Sequence, residues 1–410
     1  MVISMVTHRE NQRWVQDFAI ASSGWNSLHP EIEGRMEEIG FKHPDITRVF
    51  EGVKSTQHWP KALVRTALEN EKKALYYEKR GFDLSARDLY VRAMLLFDKA
   101  QYSYYRDDFR KKGFHDKMLA CFQRAAKITS ENTGVRIEQV KLKFEGSRIY
   151  GVMYTPPTRG PHDCVLMIPG MDSTKEELFQ PYLRYYLPHG LAAITFDGPG
   201  QGESLLNGCK VTLDNHEKAS SAFVEYALSK DSIRKVAVYG NSMGSYWATR
   251  AAAHDKRLKA CATALGCYAN MNTIFNKAQP NFKANFMFMA GYEDEARFDA
   301  EFAPRMSLQA AVKKRTCPYL MMHGEFDELS PLDETIRLYE AANSPKELWI
   351  FADEFHSLGG VGQEVFSLSA SWLSNALKGR VRSDHEKLVY MKRNGEFIED
   401  SAGPDWWNPT

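Results

Sequence analysis

Val236-Ala237-Val238-Tyr239-Gly240-Asn241-Ser242-Met243-Gly244-Ser245 decides the fold of this chain. A short apolar run ends in Gly-x-Ser-x-Gly, and a small-residue stretch of helical character continues to His254. A strand that turns at once into a helix leaves its central serine projecting from the sheet edge. Gly240 and Gly244 flank Ser242 because larger side chains would collide with neighbouring backbone in so tight a turn. The pentapeptide alone is short; the strand before it and the helix after it give it meaning.

Outward from this turn, strand-like and helix-like runs alternate. The predicted strands are Arg136 to Phe144, Arg148 to Tyr154, Cys164 to Ile168, Ala192 to Phe196, Lys235 to Tyr239, Lys259 to Leu265, Pro318 to Met322 and Glu347 to Phe351. Helices fall between them, among them Asn215 to Leu228, Asp333 to Ala342 and Gly362 to Leu377. Such alternation predicts an α/β class fold, a mostly parallel central sheet with helices on both faces. Residues 1–130 lack strand alternation and read as an N-terminal helical domain dense in aromatic residues, including Trp14, Phe18, Trp25, Trp59, Tyr90 and Tyr102. Residues 131–380 form the core, interrupted at about 266–317 by an interval rich in Phe and Met. A structureless loop of that length is improbable, so a helical cap insertion is expected there. Residues 381–410 read as a charged tail ending in Trp406-Trp407, a pair expected to pack on the body or on a partner.

A serine is a poor nucleophile at neutral pH and needs a base within hydrogen-bond reach, itself oriented by a carboxylate. Both lie downstream at strand exits, where parallel sheets place functional loops. Asp327 follows Leu320-Met321-Met322 in His323-Gly324-Glu325-Phe326-Asp327. His356 follows Leu348 to Phe351, just before the last core helix. Glu325 and Asp333 compete for the acid, but Asp333 suits a helix start behind Pro331. His323 is expected to pack or hydrogen-bond near its strand end.

A developing oxyanion needs two aimed donors. The backbone N–H of Met243 is one candidate, and that of Met171, in the loop Pro169-Gly170-Met171-Asp172-Ser173, is the other. Ser173 with Glu176 fits a capping box; alternatively Glu176 or Glu177 supplies an acidic group at the pocket wall, an auxiliary acid. Asp197-Gly198-Pro199-Gly200-Gln201-Gly202-Glu203-Ser204 lacks a Walker lysine and reads as a turn that shapes the site.

Composition limits the remaining classes. The 410 residues carry a net charge of +1, which gives no footprint for nucleic acid or an anionic membrane. The six cysteines are scattered without a CxxC pair and read as reduced core residues. No His/Cys cluster has metal-ligand spacing, so neither metal nor cofactor is expected. The first residues are too short an apolar run for a signal segment, and no run approaches the roughly 20 residues of a membrane helix. A cytoplasmic, soluble protein is expected.

Together these residues resemble the α/β-hydrolase superfamily over roughly residues 135 to 380, with all four motifs in order. The long helical region followed by Pro169 to Glu177 resembles, more narrowly, the branch containing 2,6-dihydroxypseudooxynicotine hydrolase, FrsA-like esterases and fungal polyketide-shortening hydrolases. The resemblance implies a Ser242, Asp327 and His356 triad in a site between core and helical domain, and a homodimer. It also implies either ester or carbon–carbon bond hydrolysis beside a carbonyl. A serine hydrolase of a bulky, aromatic or polyketide-like small molecule is therefore expected, the aromatic and Met-rich cap favouring such a substrate. An acyltransferase or cyclase on the same triad is the alternative, and a non-catalytic binding protein the more remote one.

Overall fold

A computed structural model describes residues 13–278 and 280–403. Among the described residues six α-helices come first: α1 (Arg13–Ser23), α2 (Ile32–Ile39), α3 (His43–Glu51), α4 (His58–Lys79), α5 (Asp83–Tyr102) and α6 (Phe109–Thr133). Helix α5 is the axis of this group. Its Tyr90, Ala93, Met94, Leu96 and Phe97 are all buried, because α4 and α6 cover it from both sides. Asp45 of α3, itself buried, accepts two hydrogen bonds from Arg92 of α5 at 2.6 and 2.7 Å and one from Asn70 of α4 at 3.1 Å. A carboxylate taken out of water needs such partners.

The chain then builds one ten-stranded sheet in the order β1-β2-β4-β3-β5-β6-β7-β8-β9-β10. The strands are β1 (Arg136–Phe144), β2 (Ser147–Thr155), β3 (His162–Ile168), β4 (Ala192–Asp197), β5 (Ile233–Asn241), β6 (Leu258–Ala264), β7 (Tyr319–Gly324), β8 (Lys346–Phe351), β9 (Glu386–Met391) and β10 (Phe397–Glu399). From β4 through β9 every pairing is parallel, with Leu166 of β3 opposite Val238 of β5. The two edges are antiparallel. Both faces of the central strands are covered, which explains their unbroken apolar runs. Side chains alternate between the two covers. Leu166 and Val238 join a core with the cap, whereas Val165 and Tyr239 join a second core with Leu95 and Phe122 of the N-terminal helices.

Among the described residues the interval after β6 folds into four α-helices, Met271–Lys277, Pro280–Ala290, Glu295–Glu301 and Gln309–Lys314, with a 3-10 turn at Ala303–Arg305, as an insertion of its length requires. Phe275, Phe286 and Phe298 pack on one another there, with ring centroids 4.9 to 6.1 Å apart.

One expectation is corrected. The segment after residue 381 is not a bare charged tail, because β9 and β10 extend the sheet through Glu399. Strand β9 lies near the edge and buries only Val389 and Tyr390, so most of its residues are polar or half-exposed. Its charges pair along the strands, as Lys387 with Glu399 at 2.8 Å, and mask the alternation that identifies inner strands. Trp406 and Trp407 lie outside the described residues.

Candidate active site

The geometry of the turn after β5 follows from space. A Cβ on Gly240 would lie 2.1 Å from the Gly244 carbonyl oxygen, and one on Gly244 would lie 2.2 Å from the Ile168 oxygen. Neither glycine has a positive φ; that conformation falls on Ser242 itself, at φ +53° and ψ −126°. A non-glycine residue held there is strained by packing around it, a recurring property of functional positions. Helix Met243–His254 starts at the next residue, so the serine hydroxyl stands at the positive end of that helix.

Three residues from three strand exits meet here. Ser242 Oγ lies 2.9 Å from His356 Nε2, and His356 Nδ1 lies 2.8 Å from Asp327 Oδ2. The other carboxylate oxygen of Asp327 accepts backbone N–H bonds from Leu329 at 2.9 Å and Ser330 at 2.8 Å. With its Nδ1–H donated to Asp327, the imidazole turns the Nε2 lone pair toward the serine. Burial disfavours a charged His356, but the negative charges of Asp327, Glu328 and Asp172 together outweigh it and raise the His356 pKa above the ordinary histidine value. Glu328 adds to this: its Oε2 accepts the His356 backbone N–H at 2.9 Å.

The competing residues have other occupations. Glu325 accepts the Asp353 backbone N–H at 2.8 Å and the Tyr390 hydroxyl at 2.9 Å. Asp333 sits in the first turn of helix Leu332–Ala341 and pairs with Arg337 at 2.8 Å. His323 bonds the Ser330 carbonyl oxygen through Nε2 at 2.8 Å, and burial lowers its pKa.

A cavity of about 820 Å³ opens above Ser242 and His356. Met171, Asp172, Ser173 and Glu177 line it from the loop after β3, Phe282 from the cap, and Trp25, Trp59, Lys99, Tyr102, Tyr104 and Tyr105 from the N-terminal helices. Trp25 and Trp59 stack with centroids 3.8 Å apart. The aromatic wall is thus chiefly N-terminal. The cap aromatics, from which a bulky substrate was expected, are mostly occupied with one another, Phe275, Phe286 and Phe298 being fully buried. Trp14 and Phe18, by contrast, are exposed on α1.

The two glutamates separate. Glu177 lines the cavity, whereas Glu176 does not and is buried against Lys175 at 2.9 Å. The capping box does not form: Ser173 Oγ donates to Glu177 at 2.8 Å, and no side chain caps the short helix Lys175–Leu178. The loop after β4 supports the site from beneath. Gln201 Nε2 donates to the Pro169 and Gly170 carbonyls at 3.3 and 2.9 Å, and Asp197 accepts from the Lys175 and Glu203 backbone N–H groups at 2.8 and 2.9 Å. The turn-shaping role expected of that loop is therefore carried by Gln201 and Asp197. Lys99 and Glu328 escaped sequence reasoning, Lys99 because it is one lysine on a long helix.

The family described as Esterase FrsA-like matches residues 49–335 of the chain. This chain is an α/β-hydrolase of the FrsA-like esterase family. It is 29% identical over 362 residues to 2,6-dihydropseudooxynicotine hydrolase of Paenarthrobacter nicotinovorans, covering 86% of this chain and 94% of that protein. The crystal structure of 2,6-dihydroxy-pseudo-oxynicotine hydrolase superposes with a TM-score of 0.76 at 26% identity, over 86% of this chain and 98% of that one. An α/β hydrolase, xenA, of Xenoacremonium sinensis is 32% identical over 222 residues, 50% of this chain and 51% of that protein. Against such fungal relatives the match spans about half of each protein. No helix among the described residues is long and apolar enough to cross a membrane, and no group of three or more His, Cys, Asp or Glu residues among them could hold a metal ion.

Proposed function

We propose that this enzyme is a serine hydrolase in which Ser242 attacks an activated carbonyl of a bulky, aromatic or polyketide-like small molecule. The observation that carries the proposal is the hydrogen-bonded chain Ser242–His356–Asp327 at the floor of an aromatic-lined cavity. His356 takes the serine proton as the tetrahedral intermediate forms, and Asp327 holds the imidazole and stabilises its charge. The backbone N–H groups of Met243 and Met171 face the new oxyanion. His356 then protonates the leaving group, and water, activated by the same base, releases the acyl group.

Two leaving groups suit this centre. An ester alkoxide takes the proton from His356 directly. A carbon leaving group must first be stabilised as an enolate and then protonated; of the two candidate auxiliary acids, Glu177 is the one with access to the cavity. Similarity to 2,6-dihydropseudooxynicotine hydrolase along nearly its whole length supports a small, nicotine-like substrate that carries an aromatic ring. The stacked Trp25–Trp59 pair offers the flat apolar surface such a ring needs. Six free, buried cysteines suit a reducing, cytoplasmic setting.

The pH dependence tests the base. His356 acts only when neutral, and its pKa is raised, so kcat/KM on an aryl ester falls as pH drops through a value above the ordinary histidine range of about 6.5. Asp327→Asn removes the charge that raises it, so the acid limb of the residual activity moves to lower pH. A profile flat down to about pH 5 contradicts the assignment of His356.

A further inference from the structure

The loop that bears Met171 is held from two sides. Gln201 fixes its Pro169 and Gly170 carbonyls from within the core. The other hold comes from outside the core, from α5. Lys99 Nζ donates to the Asp172 main-chain oxygen at 3.3 Å, to Asp172 Oδ2 at 3.0 Å and to Ser173 Oγ at 3.3 Å. It also pairs with Glu177, further along the same segment in the short helix Lys175–Leu178. The ammonium thus grips both ends of the stretch Asp172 to Glu177, beginning at the residue directly after Met171.

The electrostatics keep this grip closed. Burial opposes a charged Lys99, but Asp172 and Glu177 beside it raise its pKa well above the ordinary lysine value. Asp98 lies 3.9 Å away and is fully buried, and that burial lifts its pKa far above the carboxylate range. Asp172 and Glu177 make the direct contacts to the ammonium, and both line the cavity. Charge-assisted hydrogen bonds define the position of a backbone more tightly than neutral ones do.

We propose that Lys99 is a positioning residue for the oxyanion loop: from the N-terminal helices it sets the Met171 amide against the reacting carbonyl. The inference rests on the serine-hydrolase reading above and adds that the helical region contributes to the chemical step as well as to the cavity wall. An oxyanion donor acts only if it is fixed where charge develops, so a loosened loop lowers transition-state stabilisation and leaves ground-state binding almost unchanged.

The test uses the full-length enzyme, an aryl ester as substrate and an aryl boronic acid as a mimic of the tetrahedral intermediate. Lys99→Met is expected to lower kcat by about 10- to 100-fold, with KM changed less than about twofold. Affinity for the boronic acid falls by the same factor as kcat/KM, because both report the oxyanion site. Lys99→Arg restores most of the loss. Should Lys99→Met fold poorly by circular dichroism, Asp172→Asn breaks the same ion pair without a change of shape and is expected to show the same split. A rise in KM at constant kcat, or boronic acid affinity unchanged while kcat falls, overturns the proposal. Ser242→Ala, run alongside, separates the two readings. If it is inactive while Lys99→Met matches wild type, only the Lys99 role fails; if it is active, the serine mechanism itself fails.

Discussion

Ser242→Ala is expected to lower kcat by at least about four orders of magnitude on any substrate the enzyme turns over. The size of the effect follows from the geometry. His356 Nε2 is 2.9 Å from the hydroxyl that it would deprotonate, and Asp327 is spent on orienting that imidazole. Removing Oγ leaves the base with nothing to activate but solvent. The fold has no comparable stake in that oxygen, whose bonds are to His356 and, at 4.0 Å, to Cys267. Melting temperature should therefore stay within a few degrees of wild type. His356→Ala should lose a similar amount. Initial rates on an aryl ester, with circular dichroism as the fold control, check both.

The second large effect is structural. Gly244→Ala would place a methyl carbon 2.2 Å from the Ile168 oxygen and 2.8 Å from the Pro169 oxygen. Both are backbone atoms at the root of the loop after β3, so no side-chain rotation relieves the contact. Relief requires β3 and helix Met243–His254 to separate, which disturbs the centre of the sheet. The substitution should cost at least about 3 kcal/mol of stability and abolish activity in whatever folds. Gly170→Ala is the informative comparison. Its added carbon would lie 3.3 Å from Ser242 Cβ, a distance that small shifts accommodate. Denaturant unfolding of the two variants should show a large loss for the first and a modest one for the second. A Gly244→Ala enzyme of wild-type stability would contradict the steric account of the turn.

These contrasts show what the sequence makes legible. Core strands announce themselves because both faces are buried, so apolar runs such as Val236 to Tyr239 are unbroken and end in turn residues. The meeting of Asp327 and His356 at strand exits could be read from order alone, since parallel strands deliver successive loops to one edge. Strands β9 and β10 were hidden by the same logic reversed: an exposed face fills with charge, and charge without alternation resembles a tail. The aromatic residues were visible as a class but not as individuals. Trp25 and Trp59 face the cavity while Trp14 and Phe18 face solvent, a difference set by how helices cross and not by their local sequence. Lys99 was invisible for a related reason, because its partners Asp172 and Glu177 lie more than seventy residues away.

The central claim is that Ser242 becomes acylated by the substrate carbonyl. Its most direct test is peptide-level mass spectrometry of the folded enzyme after treatment with a fluorophosphonate. The account predicts a single phosphonylated peptide carrying Ser242, with activity lost in step with labelling and no label on Ser242→Ala. An active enzyme that stays unlabelled at Ser242, or that loses activity through modification elsewhere, would contradict it.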